Sequence, residues 1–247
     1  MPRYRLVLEY DGAGFEGWQV QPGARTVQGE LARAIERITG EPGPRVVGSG
    51  RTDAGVHAEG QVASVDVAGD LTGERLRDAL NGVLPPDLAV TEAAPAAPDF
   101  DARKHARGKH YRYQIWNARA RSPLRAARFA HVRGPLDVAT MDLAARAFEG
   151  EHDFSALRAA GSSVKSSVRT VTCCRVEGEA GGEIRVHVSG SGFLRHMVRN
   201  LAGTLIEVGS GRRPADSMAQ LLAGRDRGQA GPTAPAHGLT LVRVDYA

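Results

Sequence analysis

The chain has 247 residues, of which 42% are hydrophobic and 24% charged, a composition typical of a globular protein with one large domain or two small ones. No apolar run approaches the roughly 18 residues that a membrane-spanning helix requires, and the N-terminus lacks the apolar core of a signal peptide, so we expect a cytoplasmic protein without a membrane partner. Its two cysteines, Cys173 and Cys174, are adjacent, which suits neither a disulfide nor a metal site, and we expect both to be reduced.

The net charge is only +4, but the cationic residues are concentrated in one stretch. Ten of the 32 Lys and Arg residues lie between Ala102 and Pro135, where there is no Asp or Glu, and the remainder carries 22 basic against 28 acidic residues. A cationic block on an otherwise acidic chain predicts a face that binds a polyanion. An Arg-rich composition would explain the arginines but not the missing carboxylates, so the distribution favours nucleic acid. The cations of the block are Arg103, Lys104, Arg107, Lys109, Arg112, Arg119, Arg121, Arg125, Arg128 and Arg133.

The first hundred residues predict alternating strands and helices. Alternating apolar residues indicate a strand at 3–10, and Thr26 can cap a helix that Gly40 ends. A second helix follows Thr72, and the Ala- and Pro-rich stretch Ala93–Pro98 is typical of a linker or a surface crossing. Further strands are predicted at 61–67 and 88–90.

The rest of the chain predicts a second set of strands and helices. A clear strand at 109–117 carries Tyr111 and Tyr113 on one face, and Asp137 can cap the helix that follows the basic block. Ser191 can cap a later helix with one apolar stripe. The other predicted elements are a loop at Gly161–Ser167, strands at 168–177, 183–189 and 239–246, and a helix from Pro214 to Leu222.

Two groups of alternating strands and helices predict an α/β protein of the α+β type. We expect two similar subdomains, residues 1–100 and residues 101–247, each with a mixed or antiparallel sheet and helices on one face. The first subdomain would carry the glycine-rich loop described next, and the second would carry the basic block, the tyrosine strand and the later arginine-bearing helix.

The glycine-rich stretch Gly48–Ala58 precedes the strand at 61–67 and contains Arg51, Thr52 and Asp53. Its glycines permit a tight loop with positive φ angles and a close approach by another molecule. The pattern is not a dinucleotide fingerprint, because Asp53 stands where the third Gly would be required. It is not a phosphate loop either, because no Gly-Lys-Ser or Gly-Lys-Thr follows.

Two other enzyme classes are poorly supported by the sequence. His57-Ala58-Glu59 matches half of the zinc deaminase signature, but the Pro-Cys-x-x-Cys half is missing. No Gly-x-Ser-x-Gly elbow of a serine hydrolase is found. What remains is one carboxylate, Asp53, beside an arginine. Since Asp residues in turns often bond only the local backbone, the residue types leave a structural and a catalytic role both open.

The stretch Gly50–His57, which reads Gly-Arg-Thr-Asp-Ala-Gly-Val-His, resembles the signature of the tRNA pseudouridine synthase A family. The resemblance extends along nearly the whole chain through several ordered motifs, which together are far more specific than any one of them. The further motifs lie in Tyr4–Gly17, Arg107–Asn117, Gly192–Gly203, Thr233–Ala236 and Gly238–Tyr246.

The resemblance implies an enzyme that isomerises uridine to pseudouridine at positions 38, 39 and 40 in the anticodon stem and loop of tRNA. It implies that no cofactor and no metal take part, and that a homodimer shares the tRNA between its subunits. The implied fold has two α/β subdomains whose sheets are joined, with a catalytic cleft between them.

The resemblance also implies roles for single residues. Asp53 corresponds to the catalytic nucleophile, Tyr111 to the tyrosine that stacks on the base, and Arg199 to the arginine that keeps the aspartate ionised. Arg51 corresponds to the residue that enters the space left by the extruded base. From the residues alone, Tyr111 could instead belong to the strand core and Arg199 to a helix surface. Arg195 and Arg199, four apart on one predicted helix flank, form a like-charge pair that mildly favours an anionic partner.

We expect Arg107, Lys109 and Arg112 of the basic block to bind tRNA phosphates. A tRNA-binding module without catalysis is the main alternative, since it shares the basic block but does not need Asp53, Tyr111 and Arg199 to converge. A zinc deaminase is a weaker alternative.

Overall fold

The computed structural model describes residues 1–69, 71–159 and 166–247, and in these ranges it has ten β-strands and five α-helices. Residues 161–165 of the predicted loop lie outside the described residues. No helix in the described part of the chain is long and apolar enough to cross a membrane. The strands are β1 (Arg3–Tyr10), β2 (Val46–Gly48), β3 (His57–Asp66), β4 (Leu88–Ala96), β5 (Ala106–Asn117), β6 (Ala130–Val132), β7 (Gly150–Asp153), β8 (Val168–Gly178), β9 (Glu183–Gly190) and β10 (Leu239–Tyr246). The helices are α1 (Val27–Thr39), α2 (Gly73–Asn81), α3 (Val138–Arg146), α4 (Met197–Gly209) and α5 (Met218–Gly224).

By its internal contacts the chain divides into two compact units. The first unit comprises Met1–Arg107 together with Leu241–Ala247, and the second comprises Gly108–Thr240. The first unit therefore includes the end of β10, which the sequence placed in the second subdomain, because β10 lies beside β3.

The first unit has an antiparallel sheet with α1 and α2 packed against each other and on the sheet. Its strands lie in the order β4-β1-β3-β10, with β2 paired to β3 as well. As predicted, Thr26 caps α1 by accepting from the Gly29 N–H, and Gly40 ends the helix with a φ of 74°. The apolar stripe of α1 that the sequence predicted faces the core, where Leu31 and Ile35 are buried.

The prediction of a linker at Ala93–Pro98 is wrong, because β4 continues through this stretch to Ala96. β4 is the outer strand of the sheet, and Pro95 lies opposite Tyr4 of β1. A proline, which has no N–H to donate, is tolerated on an edge strand because one side of that strand needs no partner. The Ala and Pro composition therefore marks an edge of the sheet.

The second unit repeats the same kind of architecture, and the predicted α/β class is confirmed in both units. Its strands lie in the order β5-β9-β8-β7 with antiparallel pairing, and the short β6 pairs in parallel with β5. α3 packs on β8 and on α4, and Asp137 caps α3 by accepting from the Thr140 N–H, as predicted.

The prediction that Ser191 caps a helix is wrong, because α4 begins only at Met197. The Ser191 N–H bonds the Thr170 carbonyl, and His196 has a φ of 60°. That left-handed conformation is unusual for a residue with a side chain, and it separates the preceding segment from the helix. Arg195 therefore lies before α4, and the expected like-charge pair with Arg199 on one helix flank does not exist.

Candidate active site

Asp53 lies in the connection between the antiparallel strands β2 and β3, which we call the aspartate loop (residues 49–56). The Val56 N–H bonds the Asp53 carbonyl at 3.1 Å, and Gly55 between them has a φ of 77°. Glycine is favoured there because a turn of this geometry needs a positive φ at its third residue. Asp53 is half-buried, and Arg51 beside it is exposed.

The aspartate loop is held from beneath by the side chain of Gln61, which is fully buried in β3. The Gln61 Oε1 accepts from the Ser49 hydroxyl at 2.6 Å and from the Val62 N–H at 3.1 Å. Its Nε2 donates to the Gly50 carbonyl at 3.1 Å. One amide group therefore fixes the backbone that leads into Arg51 and Asp53.

A second set of contacts holds the aspartate loop from the end of β1 and from the segment that follows it. The Tyr10 hydroxyl lies 2.8 Å from the Thr52 Oγ1. Burial raises the pKa of Tyr10 to about 12, so the phenol stays neutral at physiological pH. The backbone N–H of Trp18 donates to the Thr52 carbonyl at 3.1 Å. A Cβ on Gly17, which has a φ of 84°, would lie 2.7 Å from that same carbonyl, so only glycine fits.

His57, the first residue of β3, is buried and also helps to hold the aspartate loop. Its Nδ1 accepts from the Gly12 N–H at 3.0 Å and lies 3.1 Å from the Asp11 carboxylate. The histidine thus ties the end of the aspartate loop to the turn after β1. Cys173 and Cys174 lie on β8 in the other unit. The described residues contain no group of three or more His, Cys, Asp and Glu side chains that could bind a metal ion.

In the second unit, β5 presents the two tyrosines of the predicted strand differently. Tyr113 is fully buried, and its hydroxyl donates to the Pro235 carbonyl at 2.9 Å. Tyr111 is only half-buried, and the ring of Phe193 meets it edge to face at 5.2 Å. Tyr113 is therefore the core aromatic of the strand, whereas Tyr111 keeps part of its ring at the surface.

Arg199 lies in the first turn of α4 and clamps the motif Thr233–Ala236. Its Nε donates to the Ala234 carbonyl at 2.8 Å, and the Ala234 N–H donates to the Arg199 carbonyl at 3.1 Å. Burial raises the pKa of Tyr113, and the nearby Arg199 cation opposes that rise. The buried Asn200 accepts from the Thr233 hydroxyl at 2.6 Å. Two of the motifs noted in the sequence are thus joined in one unit.

The predicted site residues fall on both units. Arg51, Asp53 and Arg107 belong to the first unit, and the other four belong to the second. The convergence of the two sets stays a prediction. Those four are Lys109, Tyr111, Arg112 and Arg199.

Sequence reasoning missed the supporting residues Tyr10, Gln61 and His57. Their signal was present, since each is polar and lies in or next to an otherwise apolar strand. A polar residue at a buried strand position must find hydrogen-bond partners. Tyr10 and Gln61 find them in the aspartate loop, and His57 finds one in the Gly12 N–H after β1.

Comparison with known proteins assigns the chain to a family. The profile of the family described as tRNA pseudouridine synthase matches residues 6–103 and 144–247. A protein named tRNA pseudouridine synthase A from Myxococcus xanthus is 50% identical over 246 residues, covering 100% of this chain and 92% of its own. The protein of the same name from Acetivibrio thermocellus is 46% identical over 246 residues and is covered over 100% of both chains. The chain belongs to the tRNA pseudouridine synthase family.

Solved structures give only a distant likeness. A chain of the "archaeal box H/ACA sRNP Nop10-Cbf5 complex" is 13% identical with a TM-score of 0.37, covering 82% of this chain and 44% of that one. No conclusion rests on this similarity.

Proposed function

We propose that the protein isomerises uridine to pseudouridine at positions 38, 39 and 40 of tRNA, with Asp53 as the catalytic nucleophile. The observation that carries the proposal is that the loop bearing one half-buried carboxylate is held by two sets of buried hydrogen bonds, through Gln61 and through Tyr10. Turn geometry alone does not require this many buried polar partners. Membership of the family supplies the reaction and the tRNA substrate.

The isomerisation changes connectivity but adds or removes no atoms. The bond from C1′ of the ribose to N1 of uracil breaks, the base rotates, and a bond from C1′ to C5 forms. C5 loses a proton and N1 gains one, so no oxidant or reductant is consumed. A carboxylate nucleophile can hold the substrate covalently while the base turns, whether it attacks the base or the sugar.

Three further residues have proposed roles in this reaction. Tyr111 stacks on the target base with the exposed part of its ring and assists proton removal at C5. Arg199 pairs with the Asp53 carboxylate and keeps it ionised. Arg51, which is exposed beside Asp53, enters the stem where the uridine has left the stack. Extrusion from a stem costs a few kcal/mol, so a replacement contact lowers that cost.

The decisive test is Asp53→Asn, assayed by mapping pseudouridines in unmodified tRNA after incubation with the purified variant. We expect product formation to fall below detection while tRNA binding is retained, because the amide keeps the shape but is not a nucleophile. Asp101→Asn is the matched control, since Asp101 is a turn aspartate of the same unit that accepts from the backbone of Arg103 and Lys104. Wild-type activity in Asp53→Asn would refute the nucleophile assignment and favour a tRNA-binding module without catalysis.

We also propose that the anticodon arm is the substrate region, that two copies of the chain share one tRNA, and that the enzyme works in the cytoplasm without a cofactor. Arg107, Lys109 and Arg112 bind phosphates near the target uridine. Sedimentation of the pure protein at micromolar concentration should show a dimer, and a monomer across that range would contradict the shared-tRNA arrangement.

A further inference from the structure

A second cationic feature lies in the connection between β5 and β6, residues 118–129, which we call the arginine loop. Its sequence contains Arg119, Arg121, Arg125 and Arg128 and no acidic residue. The family resemblance assigned none of these residues a role.

The arginine loop is held in place by the end of β5. The Trp116 Nε1 donates to the Ala120 carbonyl at 2.9 Å, and the Arg125 guanidinium lies over the Trp116 ring at 4.5 Å. Arg125 also pairs with Glu183 of β9 at 2.7 Å, and its carbonyl accepts from the Phe129 N–H at 2.9 Å. Arg125 is therefore used as an anchor within the protein.

The other arginines of the loop face solvent. Arg119, Arg121 and Arg128 are exposed, and within the described residues none of them has an ion pair. Leu124 at the tip of the loop is 95% exposed. Glu183 of β9 is paired with both Arg125 and Arg185. The loop itself contains four arginines and no acidic residue, so its own charge is strongly positive.

The first part of the arginine loop lies far along β5 from Tyr111, whereas its end returns to β6, where Ala130 lies opposite Ile115. The loop leaves β5 after Asn117, six residues beyond Tyr111, and a strand rises about 3.3 Å per residue, which gives roughly 20 Å. A phosphate bound at the start of the loop, by Arg119 or Arg121, therefore belongs to a part of the RNA several nucleotides from the target uridine, or to another arm.

We propose that the arginine loop binds the phosphate backbone of tRNA outside the anticodon arm. Guanidinium groups bind phosphate oxygens in a bidentate manner, and a fixed loop that presents three of them needs little ordering on binding. The exposed Leu124 can lie on a ribose or a base while the arginines on either side bind phosphates. The proposal rests on tRNA being the substrate, but it concerns binding and does not depend on the role of Asp53.

The test compares two RNAs, a full-length tRNA transcript and the isolated anticodon-arm hairpin, by equilibrium binding at several salt concentrations. For the triple variant R119Q/R121Q/R128Q, we expect the Kd for full tRNA to rise about tenfold or more. The slope of log K against log salt should become shallower by about 2 to 3, because each lost phosphate contact lowers it by about 1. Binding of the hairpin should stay as in wild type.

Two comparison variants make the outcome specific. R33Q/R77Q/R146Q removes the same charge from three arginines that pair with neighbouring acids, and it should leave both Kd values within about twofold. R107Q/K109Q/R112Q should weaken both RNAs, because these residues are proposed to bind near the target. Each single variant, R119Q, R121Q or R128Q, should shift the slope by about 1, which keeps the test valid if the triple variant is poorly folded.

Three results would overturn the proposal. An unchanged salt slope for the triple variant would show that the arginine loop does not contact RNA. The alternative partner would then be an acidic protein surface. Equal weakening of the hairpin and the full tRNA would place the loop on the anticodon arm. If R33Q/R77Q/R146Q raised the Kd for full tRNA as much as the loop variant does, the loss of affinity would be explained by net charge alone. None of these results depends on turnover, so they are separable from failure of the Asp53 assignment.

Discussion

The aspartate loop and the arginine loop are both irregular connections at strand ends, and in both a strand side chain bonds a loop carbonyl. The arginine loop is also anchored by a side chain of its own, Arg125. In the aspartate loop, buried side chains from β1 and β3 bind three residues that precede Asp53, through the Ser49 and Thr52 hydroxyls and the Gly50 carbonyl. In the arginine loop, one loop side chain, Arg125, binds outward to Trp116 and Glu183, and the functional side chains extend freely from the loop.

The difference follows from what each loop is proposed to do. Covalent chemistry requires the reacting oxygen within a fraction of an ångström of its target, so the backbone that carries a short Asp side chain must be fixed. Phosphate binding tolerates more freedom, since a long Arg side chain can adjust its reach and the attraction falls off slowly with distance. Changes to the aspartate loop supports should therefore affect the rate, and changes to the arginine loop should affect affinity.

The largest effect in this comparison is expected for Gln61→Leu, which removes the buried amide beneath the aspartate loop. We expect kcat to fall roughly 100-fold, because a displacement of about 1 Å at the reacting group can cost that much. KM should change by less than about threefold, because the proposed phosphate contacts Arg107, Lys109 and Arg112 lie outside the aspartate loop. Single-turnover kinetics with full tRNA separate the two parameters.

Ser64→Ala is the matched control for Gln61→Leu, because Ser64 is a buried polar residue of the same strand whose hydroxyl accepts from the Ala102 N–H, away from the loop. It should lose stability but retain kcat. If both variants lose kcat in proportion to their loss of stability, Gln61 supports only the fold and the contrast between the two loops fails.

A smaller effect is expected for Tyr10→Phe, which removes the hydroxyl that bonds Thr52. The loss of one buried hydrogen bond should cost about 1 to 2 kcal/mol of unfolding free energy. We expect kcat to fall less than in Gln61→Leu, because the Trp18 N–H still holds the Thr52 carbonyl.

Tyr10 also predicts a dependence of stability on alkaline pH. Burial raises its pKa to about 12, whereas an unfolded tyrosine titrates near 10. Between these values the unfolded chain loses the proton first, so the contribution of Tyr10 to stability is complete below pH 10 and is lost as the pH rises through 12. Urea titrations at pH 8 and pH 11 should show a smaller alkaline loss in Tyr10→Phe than in wild type, by about 1.4 kcal/mol. Equal losses would mean that the Tyr10 hydroxyl is not buried as described.

The smallest effect is expected for Arg125→Gln, which removes the anchor of the arginine loop. A surface ion pair and an exposed cation–π contact are each worth about 1 kcal/mol or less, so the loop should become less ordered without unfolding the protein. The Kd for full tRNA should rise only about two- to threefold, with little change in the salt slope, because Arg125 does not face phosphate. A slope change as large as that of R121Q would show that Arg125 binds RNA directly and that the loop has no separate anchor.

The sequence by itself determined the elements whose signals are local. The caps Thr26, Thr72 and Asp137 were readable because a hydroxyl or carboxylate just before an apolar stripe satisfies the first free N–H groups of a helix. The alternation of β1, β5 and β9 was readable because a half-buried strand has a period of two. The motifs around Asp53, Tyr111 and Arg199 also indicated the family, which the comparisons confirm.

Only the tertiary structure decided the features that depend on distant partners. Ser191 is a residue type that often caps helices, but its N–H donates to the Thr170 carbonyl. Helix α4 begins only after His196, which has a left-handed backbone conformation. Ala93–Pro98 has the composition of a linker but lies at the sheet edge, where a proline is tolerated. The loop partners of Gln61 lie 11 and 12 residues away, and Thr52, the partner of the Tyr10 hydroxyl, lies 42 residues away. Local propensity does not encode such long-range hydrogen bonds, because they form only when the packed strands bring the residues together.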